Sequence, residues 1–224
     1  KEFNELEVDM IELRIDFYEN IHQEDALRNL FLNIAALQIQ KPVILTIRTA
    51  AEGGEVEIDP KDYFNVYKLA VEANAFDIYD VELALGTNMA IELRTLIHDA
   101  GKYMLMSSHN FDRTPEVDSL MQKFRSMDSL EADIMKVAVM PEDYQDLLNL
   151  LSFTVQAKHE YAQKPIVTMS MSSIGLTSRL VGEQFGSAIT FASVGKASAP
   201  GQIDYQELNQ MLDIIHKNIQ VVRL

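Results

Sequence analysis

Short β-prone apolar runs alternate with segments of helical periodicity along the whole chain. Successive runs lie about 30 residues apart, the length of one strand–helix unit. Because each strand is then connected to the next by a helix, this alternation predicts a parallel sheet covered by helices. The predicted strands are residues 9–16, 42–49, 76–84, 103–111, 134–141, 165–172 and 187–194. The clearest helical segments are 25–38, 60–74, 140–163 and 204–219.

Two architectures have this alternation, the open doubly wound sheet and the (β/α)8 barrel. No G-x-G-x-x-G follows the first predicted strand and the sequence contains no phosphate loop, which disfavours a nucleotide-binding sheet. We therefore predict an α/β fold of the (β/α)8 TIM-barrel class, formed by residues 1–224 as a single domain. A barrel needs one strand more than the sequence shows. We expect that the first strand and most of a helix, about 20–30 residues, precede this chain.

The composition excludes several kinds of protein. A formal net charge of −15 argues against nucleic acid or an anionic membrane as a partner. The absence of cysteine excludes disulfides, thiolate metal sites and cysteine nucleophiles. The histidines lack H-E-x-x-H or similar spacing, so we expect no metal. No apolar run is long enough to span a membrane and no signal-peptide pattern is present, so we expect a cytoplasmic protein.

Ionisable residues share one face of several predicted strands. Side chains alternate across a strand, so residues two apart point the same way. In a barrel the outer face meets the helices, and a polar face therefore points inward, near the C-terminal strand ends where active sites of this fold lie. The residues on such faces are Glu12, Arg14 and Asp16, then Arg48, then Asp80 and Glu82, then Ser107 and His109, and finally Lys136.

Lys136 stands inside the apolar run DIMKVAVMP. A lysine is rarely buried unless it is paired, so Lys136 either reaches water from a strand end or serves chemistry. A neutral amine attacks a ketone or aldehyde to form a Schiff base, which makes a neighbouring C–H acidic. His109 is suited to move that proton, while Arg48 and Arg179 would favour the neutral amine. Together these residues indicate a carbonyl substrate that carries a carboxylate.

Six motifs resemble those of the type I 3-dehydroquinate dehydratases, and they follow the order of that family along nearly the whole chain. They are ELR at 12–14, RTAAEGGE at 48–55, SSHNF at 107–111, KVAVMP at 136–141, MSSIGLTSR at 171–179 and SAPGQ at 198–202. The resemblance implies a Schiff-base hydro-lyase of the shikimate pathway that converts 3-dehydroquinate to 3-dehydroshikimate and water. It also implies a homodimer and a reaction without cofactor or metal.

The resemblance further implies a role for each polar residue of these motifs. Lys136 forms the imine with the C3 ketone, and His109 removes a C2 proton and assists loss of the C1 hydroxyl. Arg179 binds the substrate carboxylate with its planar fork. Ser198 and Gln202 close over the substrate on a loop that contains Pro and Gly. The residues that orient the ring hydroxyls and His109 are Glu12, Arg14, Arg48 and Glu52, of which Glu52 is counted as catalytic.

Other interpretations remain open. A class I (Schiff-base) aldolase on the same barrel also needs a buried strand lysine, and GKASAPG at 195–201 is a weak candidate for its phosphate loop. A non-catalytic carboxylate-binding protein would keep Arg179 but does not require Lys136. Glu12 and Arg14 have a structural explanation as an ion pair inside the barrel.

Overall fold

The computed structural model describes residues 2–195 and 198–219, in which strands and helices alternate. The strands are β1 (Ile11–Arg14), β2 (Val43–Thr46), β3 (Ile78–Glu82), β4 (Tyr103–Asn110), β5 (Ile134–Val139) and β6 (Ile166–Ser170). The helices are α1 (Glu2–Glu5), α2 (Glu24–Ala36), α3 (Pro60–Ala73), α4 (Thr87–Asp99), α5 (Val117–Ser129), α6 (Tyr144–Glu160), α7 (Leu176–Phe185) and α8 (Tyr205–Asn218). Apart from α1, which precedes the first predicted strand, each lies where the sequence pattern places it or in the connection between two predicted strands.

The six strands form one sheet in chain order. The pairs β1–β2, β2–β3 and β3–β4 are parallel. Their register places Arg14 beside Thr46, Thr46 beside Asp80, and Glu82 beside Ser107. Paired residues of a parallel sheet point to the same face. The predicted common face of the polar residues in β1 to β4 is therefore confirmed.

The predicted seventh strand, residues 187–194, is wrong as a regular strand. Only single bridges form in this segment, from Ser187 to Ile166 and from Ser193 to the residue that caps α8. The reason lies in the first bridge, where the backbone N–H of Thr168 donates to the Ser187 hydroxyl at 3.1 Å. The Ser187 hydroxyl thus accepts the hydrogen bond that a backbone carbonyl would accept in a regular ladder, and the strand pairing ends there.

The described residues divide into two compact units, and the first comprises residues 2–109 and 125–135. Its core includes an aromatic cluster in which the rings of Tyr63 and Tyr67 stack with centroids 4.9 Å apart. The Tyr67 ring also contacts Tyr79, and the Tyr67 hydroxyl donates a hydrogen bond to the backbone carbonyl of Asp80. This cluster fixes β3 from the helix side, while the side chain of Asp80 points to the opposite face.

The second unit comprises residues 110–124 and 136–219. Helix α6 begins after Asp143, whose carboxylate accepts hydrogen bonds from two backbone N–H groups of the first turn. The helix packs against β6, and the hydroxyls of Thr154 and Thr168 are hydrogen-bonded at 2.7 Å. Phe153 meets the ring of Phe124 edge to face at 5.0 Å. These contacts build the core and satisfy the buried hydroxyls of Thr154 and Thr168.

Candidate active site

The polar residues of β1 make separate contacts. Glu12 Oε1 accepts a hydrogen bond of 2.8 Å from the Thr46 hydroxyl. The Arg14 guanidinium binds the Asp16 carboxylate through two hydrogen bonds of 2.8 and 2.7 Å, and its carbon lies 5.0 Å from the centroid of Phe17. The structural ion pair considered for Glu12 and Arg14 stays a prediction. The partner of Arg14 is Asp16, because a carboxylate two residues away reaches both nitrogens of the fork.

Arg48 is buried among acceptors at the end of β2. Its Nη1 donates to Glu82 at 2.6 Å, to Ser107 at 3.2 Å and to Glu52 at 3.3 Å, while its Nη2 donates to Asp80 at 3.0 Å. Burial disfavours the charge of a guanidinium, but the carboxylates of Asp80, Glu82 and Glu52 outweigh burial and raise the pKa of Arg48. Arg48 is thus a fixed cation enclosed by a larger number of acids.

The turn after β2 depends on two adjacent glycines. Gly53 has a φ of 78°, a left-handed conformation that glycine adopts at little cost. At Gly54 an added Cβ would lie 1.9 Å from the backbone oxygen of Arg48, so no other residue fits this close approach. The carbonyl of Thr49 accepts hydrogen bonds from the N–H groups of Glu52 and Gly54. The E-G-G sequence of the motif therefore has a geometric cause, which is to place the Glu52 side chain.

Glu52 and His109 form a buried acid–imidazole pair. Oε2 of Glu52 lies 3.0 Å from the backbone nitrogen of His109 and 2.9 Å from its Nδ1. Burial raises the pKa of Glu52 to about 8, and the charge of Glu82 adds to this effect while Arg48 opposes it. A carboxyl with such a pKa can hold or release a proton near neutral pH.

Lys136 lies in the middle of β5 and is only 4% exposed. Its Nζ lies 4.4 Å from the centroid of the Phe191 ring. The aromatic face attracts a cation, which includes an ammonium and equally a protonated imine. The alternative that Lys136 reaches water from a strand end is therefore wrong.

Arg179 is a buried cation that neutral groups surround. It lies on α7, is 2% exposed, and donates from Nη1 to the Phe191 carbonyl and from Nη2 to the Pro200 carbonyl, both at 3.2 Å. Its Nε has no hydrogen-bond partner among the described residues, and within them no carboxylate forms an ion pair with it. Burial lowers the pKa of Arg179 to about 10. Such a guanidinium is suited to receive an anion.

The SAPGQ segment forms a tight loop closed by its own ends. Oε1 of Gln202 accepts hydrogen bonds from the backbone nitrogen of Ser198 at 2.7 Å and from its hydroxyl at 3.3 Å. Gly201 has a φ of 77°, and a Cβ there would lie 2.3 Å from the Ser172 carbonyl. The earlier part of GKASAPG at 196–197 lies outside the described residues.

The structure groups the predicted site residues within each unit. In the first unit Arg48, Glu52 and His109 are in direct contact. In the second unit Lys136 and Arg179 both contact Phe191, and Ser198 contacts Gln202. From the sequence, no role was assigned to four residues that contact the predicted site residues. They are Asp16, Asp80, Glu82 and Phe191. The period-2 pattern already placed the three acids on the polar face, whereas nothing in the sequence singles out Phe191.

Two further findings concern membranes and metals. Over residues 2–195 and 198–219, no helix combines the length and apolar character that crossing a membrane requires. In the same part of the chain, no cluster of three or more histidine, aspartate or glutamate side chains could hold a metal ion. The carboxylates of Glu52, Asp80 and Glu82 instead bind the Arg48 guanidinium, so the space between them already holds a positive charge.

Parallel strands alternate with helices, and ionisable side chains such as those of Arg14, Arg48 and Glu82 lie at or after the C-terminal ends of the strands. This arrangement defines an enzyme of the (β/α)8-barrel class. Residues 1–219 match the family model for type I 3-dehydroquinase, and the chain belongs to this family.

Similar proteins bear this out. The 3-dehydroquinate dehydratase of Bacillus subtilis strain 168 is 41% identical over 213 residues, which are 95% of this chain and 84% of that protein. The 3-dehydroquinate dehydratase of Bacillus licheniformis is 40% identical over 217 residues, or 97% of this chain and 85% of that protein. A crystal structure of type I 3-dehydroquinate dehydratase from Clostridium difficile with covalently modified comenic acid superposes with a TM-score of 0.92 at 36% identity, covering 96% of this chain and 85% of that one. The predicted family and fold class are confirmed.

Proposed function

We propose that this chain is a hydro-lyase that converts 3-dehydroquinate to 3-dehydroshikimate and water through an imine on Lys136. The observation that carries the proposal is a buried lysine in the middle of β5, in a chain that belongs to the type I 3-dehydroquinase family. Neither a core nor a solvent-exposed strand needs an amine at that position. Imine chemistry does need one, because the attacking nitrogen must be shielded from water and neutral when it reacts.

In the proposed reaction Nζ of Lys136 attacks the C3 ketone, and the carbonyl oxygen leaves as water to give a protonated imine. The imine withdraws electrons, so that the C2 proton becomes acidic. Loss of that proton and of the C1 hydroxyl forms the C1–C2 double bond and a second water. Hydrolysis of the imine with one water then frees Lys136. The Phe191 ring supports this sequence, because its face attracts the positive charge that the imine carries.

We propose that His109 transfers the C2 proton and assists departure of the C1 hydroxyl. The contact between Glu52 and His109 Nδ1 supports this role, since a carboxyl on one ring nitrogen orients the other nitrogen for proton transfer. Arg48 supports it indirectly by donating to Glu52. We therefore count Glu52 as catalytic and Arg48 as the residue that holds Glu52.

We propose that Arg179 binds the substrate carboxylate. Its burial among carbonyl oxygens supports this, because a carboxylate would supply the negative charge that its described surroundings lack. Ser198 and Gln202 would close over the substrate, which the loop contact of Arg179 with Pro200 supports. Glu12 and Arg14 would contact the ring hydroxyls, as their place on the polar face of β1 suggests.

Borohydride trapping tests the proposal. The protein is mixed with 3-dehydroquinate, treated with borohydride and analysed by intact mass and peptide mapping. We expect one adduct, on Lys136, and none in Lys136→Ala. Lys61→Ala, which removes an exposed lysine, should still give the adduct. Turnover of 3-dehydroquinate without an adduct, or an adduct on another lysine, would overturn the imine mechanism.

The class I aldolase alternative is not favoured, because the chain belongs to a dehydratase family. Absence of turnover with 3-dehydroquinate, together with cleavage of an aldol donor, would reverse this conclusion. A carboxylate-binding protein without catalysis would instead bind 3-dehydroquinate and leave it unchanged. The homodimer, the cytoplasmic location, the absence of a cofactor and the single domain stay predictions.

A further inference from the structure

Glu82 is a buried carboxylate that the proposed reaction does not use. It ends β3 and is 1% exposed. Its Oε1 accepts hydrogen bonds from Arg48 Nη1 at 2.6 Å and from the backbone nitrogen of Thr49 at 2.9 Å, and its Oε2 accepts from the Thr49 hydroxyl at 2.6 Å. All three donors belong to two adjacent residues, Arg48 and Thr49, in the segment after β2. A buried charge with three short bonds to one turn fixes that turn strongly.

Thr49 passes this constraint to the residues that follow. Its carbonyl accepts hydrogen bonds from the N–H of Glu52 at 3.0 Å and from the N–H of Gly54 at 2.8 Å. Glu52 in turn contacts His109 at two atoms. A continuous series of hydrogen bonds thus leads from Glu82 through Thr49 and Glu52 to the imidazole.

The charge of Glu82 also acts on the Glu52–His109 pair. The charged groups that act on Glu52 are Glu82 and Asp80 from β3 and Arg48 from the segment after β2, while the backbone N–H of His109 on β4 donates a hydrogen bond that lowers the pKa of Glu52. Of the neighbouring carboxylates, Glu82 has the larger effect on Glu52. A negative charge nearby favours the protonated form of an acid, so removal of that charge makes protonation of the pair harder.

We propose that Glu82 is a positioning residue, which holds the turn after β2 so that Glu52 orients His109 and which tunes the proton affinity of that pair through its charge. The inference rests on the proposed roles of Glu52 and His109. Glu82 thus acts through its geometry and through its charge, and a substitution can alter either property separately.

Glu82→Gln removes the charge and keeps the shape. We expect kcat to fall by about tenfold or more, a part of what a well-placed general base contributes, while KM changes little. We expect the acid limb of the pH–kcat profile to move to lower pH by about one unit. Glu82→Asp keeps the charge and shortens the reach, so kcat should fall while the acid limb stays near that of the unaltered protein. Glu92→Gln, the same change on the exposed surface of α4, is the control and should alter neither quantity.

A double-mutant comparison asks whether Glu82 acts through Glu52. If it does, Glu82→Gln should cost much less in kcat on a Glu52→Gln background than in the unaltered protein. Additive losses, or an acid limb that Glu82→Gln leaves in place, would overturn the inference. Where Glu82→Gln does not fold by circular dichroism, Thr49→Val removes one donor to Glu82, and the same comparison with Glu52→Gln decides.

Borohydride trapping separates this inference from the proposed function. We expect Glu82→Gln to form the Lys136 adduct even as its turnover falls. An unaltered protein without an adduct would contradict the proposed function whatever Glu82 does. An adduct with undiminished turnover in Glu82→Gln would contradict the role of Glu82 alone.

Discussion

One oxygen of Glu52 contacts both the backbone nitrogen and the ring Nδ1 of His109, at 3.0 and 2.9 Å. The two contacts hold the backbone and the ring of His109, so the ring cannot turn without losing its contact at Nδ1. Glu52 is itself placed by a turn that only glycines can form. The orientation of the His109 ring therefore depends on the turn after β2. His109 itself belongs to β4, two strands away from β2 in the sheet.

The raised pKa of Glu52 predicts a pH-dependent stability difference. An acid whose pKa is raised from its ordinary value near 4.5 to about 8 stabilises the fold while protonated, and that contribution is lost as the pH rises through this window. Glu52→Gln is neutral throughout. We expect it to gain stability relative to the unaltered protein between pH 5 and pH 8, by up to about 1.4 kcal/mol for each pH unit. Urea unfolding at several pH values measures the difference, and a constant difference would show that Glu52 stays ionised.

Arg179→Gln should weaken substrate binding. It removes the buried charge and keeps one amide NH2 as a donor in place of the two guanidinium nitrogens that bond to the Phe191 and Pro200 carbonyls. The loss of charge-assisted hydrogen bonds predicts an increase in KM of about 10- to 100-fold. Steady-state kinetics with 3-dehydroquinate measures it. Arg28→Gln, which removes an exposed arginine of α2, is the control and should leave KM as it is. An unchanged KM in Arg179→Gln would mean that another group binds the carboxylate.

Phe191→Leu should slow formation of the imine. Leucine keeps an apolar side chain but has no aromatic face for the charge on Lys136 or its imine. The lost interaction predicts a decrease of about 3- to 30-fold in the rate at which the borohydride-trapped adduct accumulates. Phe191→Tyr retains the ring and should remain close to the unaltered rate. Equal rates in the leucine and tyrosine variants would show that only the volume of the side chain matters.

Gly54→Ala should damage activity through the backbone. The new Cβ would approach the Arg48 carbonyl to 1.9 Å, so the turn must shift, which we expect to cost about 2 kcal/mol of stability or more. Because the turn holds Glu52, kcat should fall as well. Gly86→Ala serves as the comparison, since its φ of 87° also disfavours alanine but no atom lies within 4 Å of the added Cβ. If both variants lose stability and neither loses kcat, the turn does not control Glu52.

The sequence allowed the fold and much of the polar face to be predicted, because strand parity and strand–helix alternation are local properties. Thus Asp80 and Glu82 were placed on the face that contacts Arg48. Pairing partners were harder to predict, since Arg14 binds Asp16 and Glu12 binds Thr46, contacts that depend on register and on the turn after β1. Residues 187–194 have a strand-like pattern, yet the Ser187 hydroxyl replaces a backbone partner. Phe191 belongs to this irregular segment, where no periodicity indicates which way a ring points.

Binding of an anion to Arg179 should stabilise the folded protein. Within the described residues the charge of Arg179 faces only neutral oxygens and a thioether, so the ligand-free fold carries a cost of burying an uncompensated cation. A carboxylate that binds there would relieve the cost and hold the folded form by mass action. Resistance of this protein to heat and proteases would then follow the supply of its substrate, so that scarcity of substrate would shorten the lifetime of the protein.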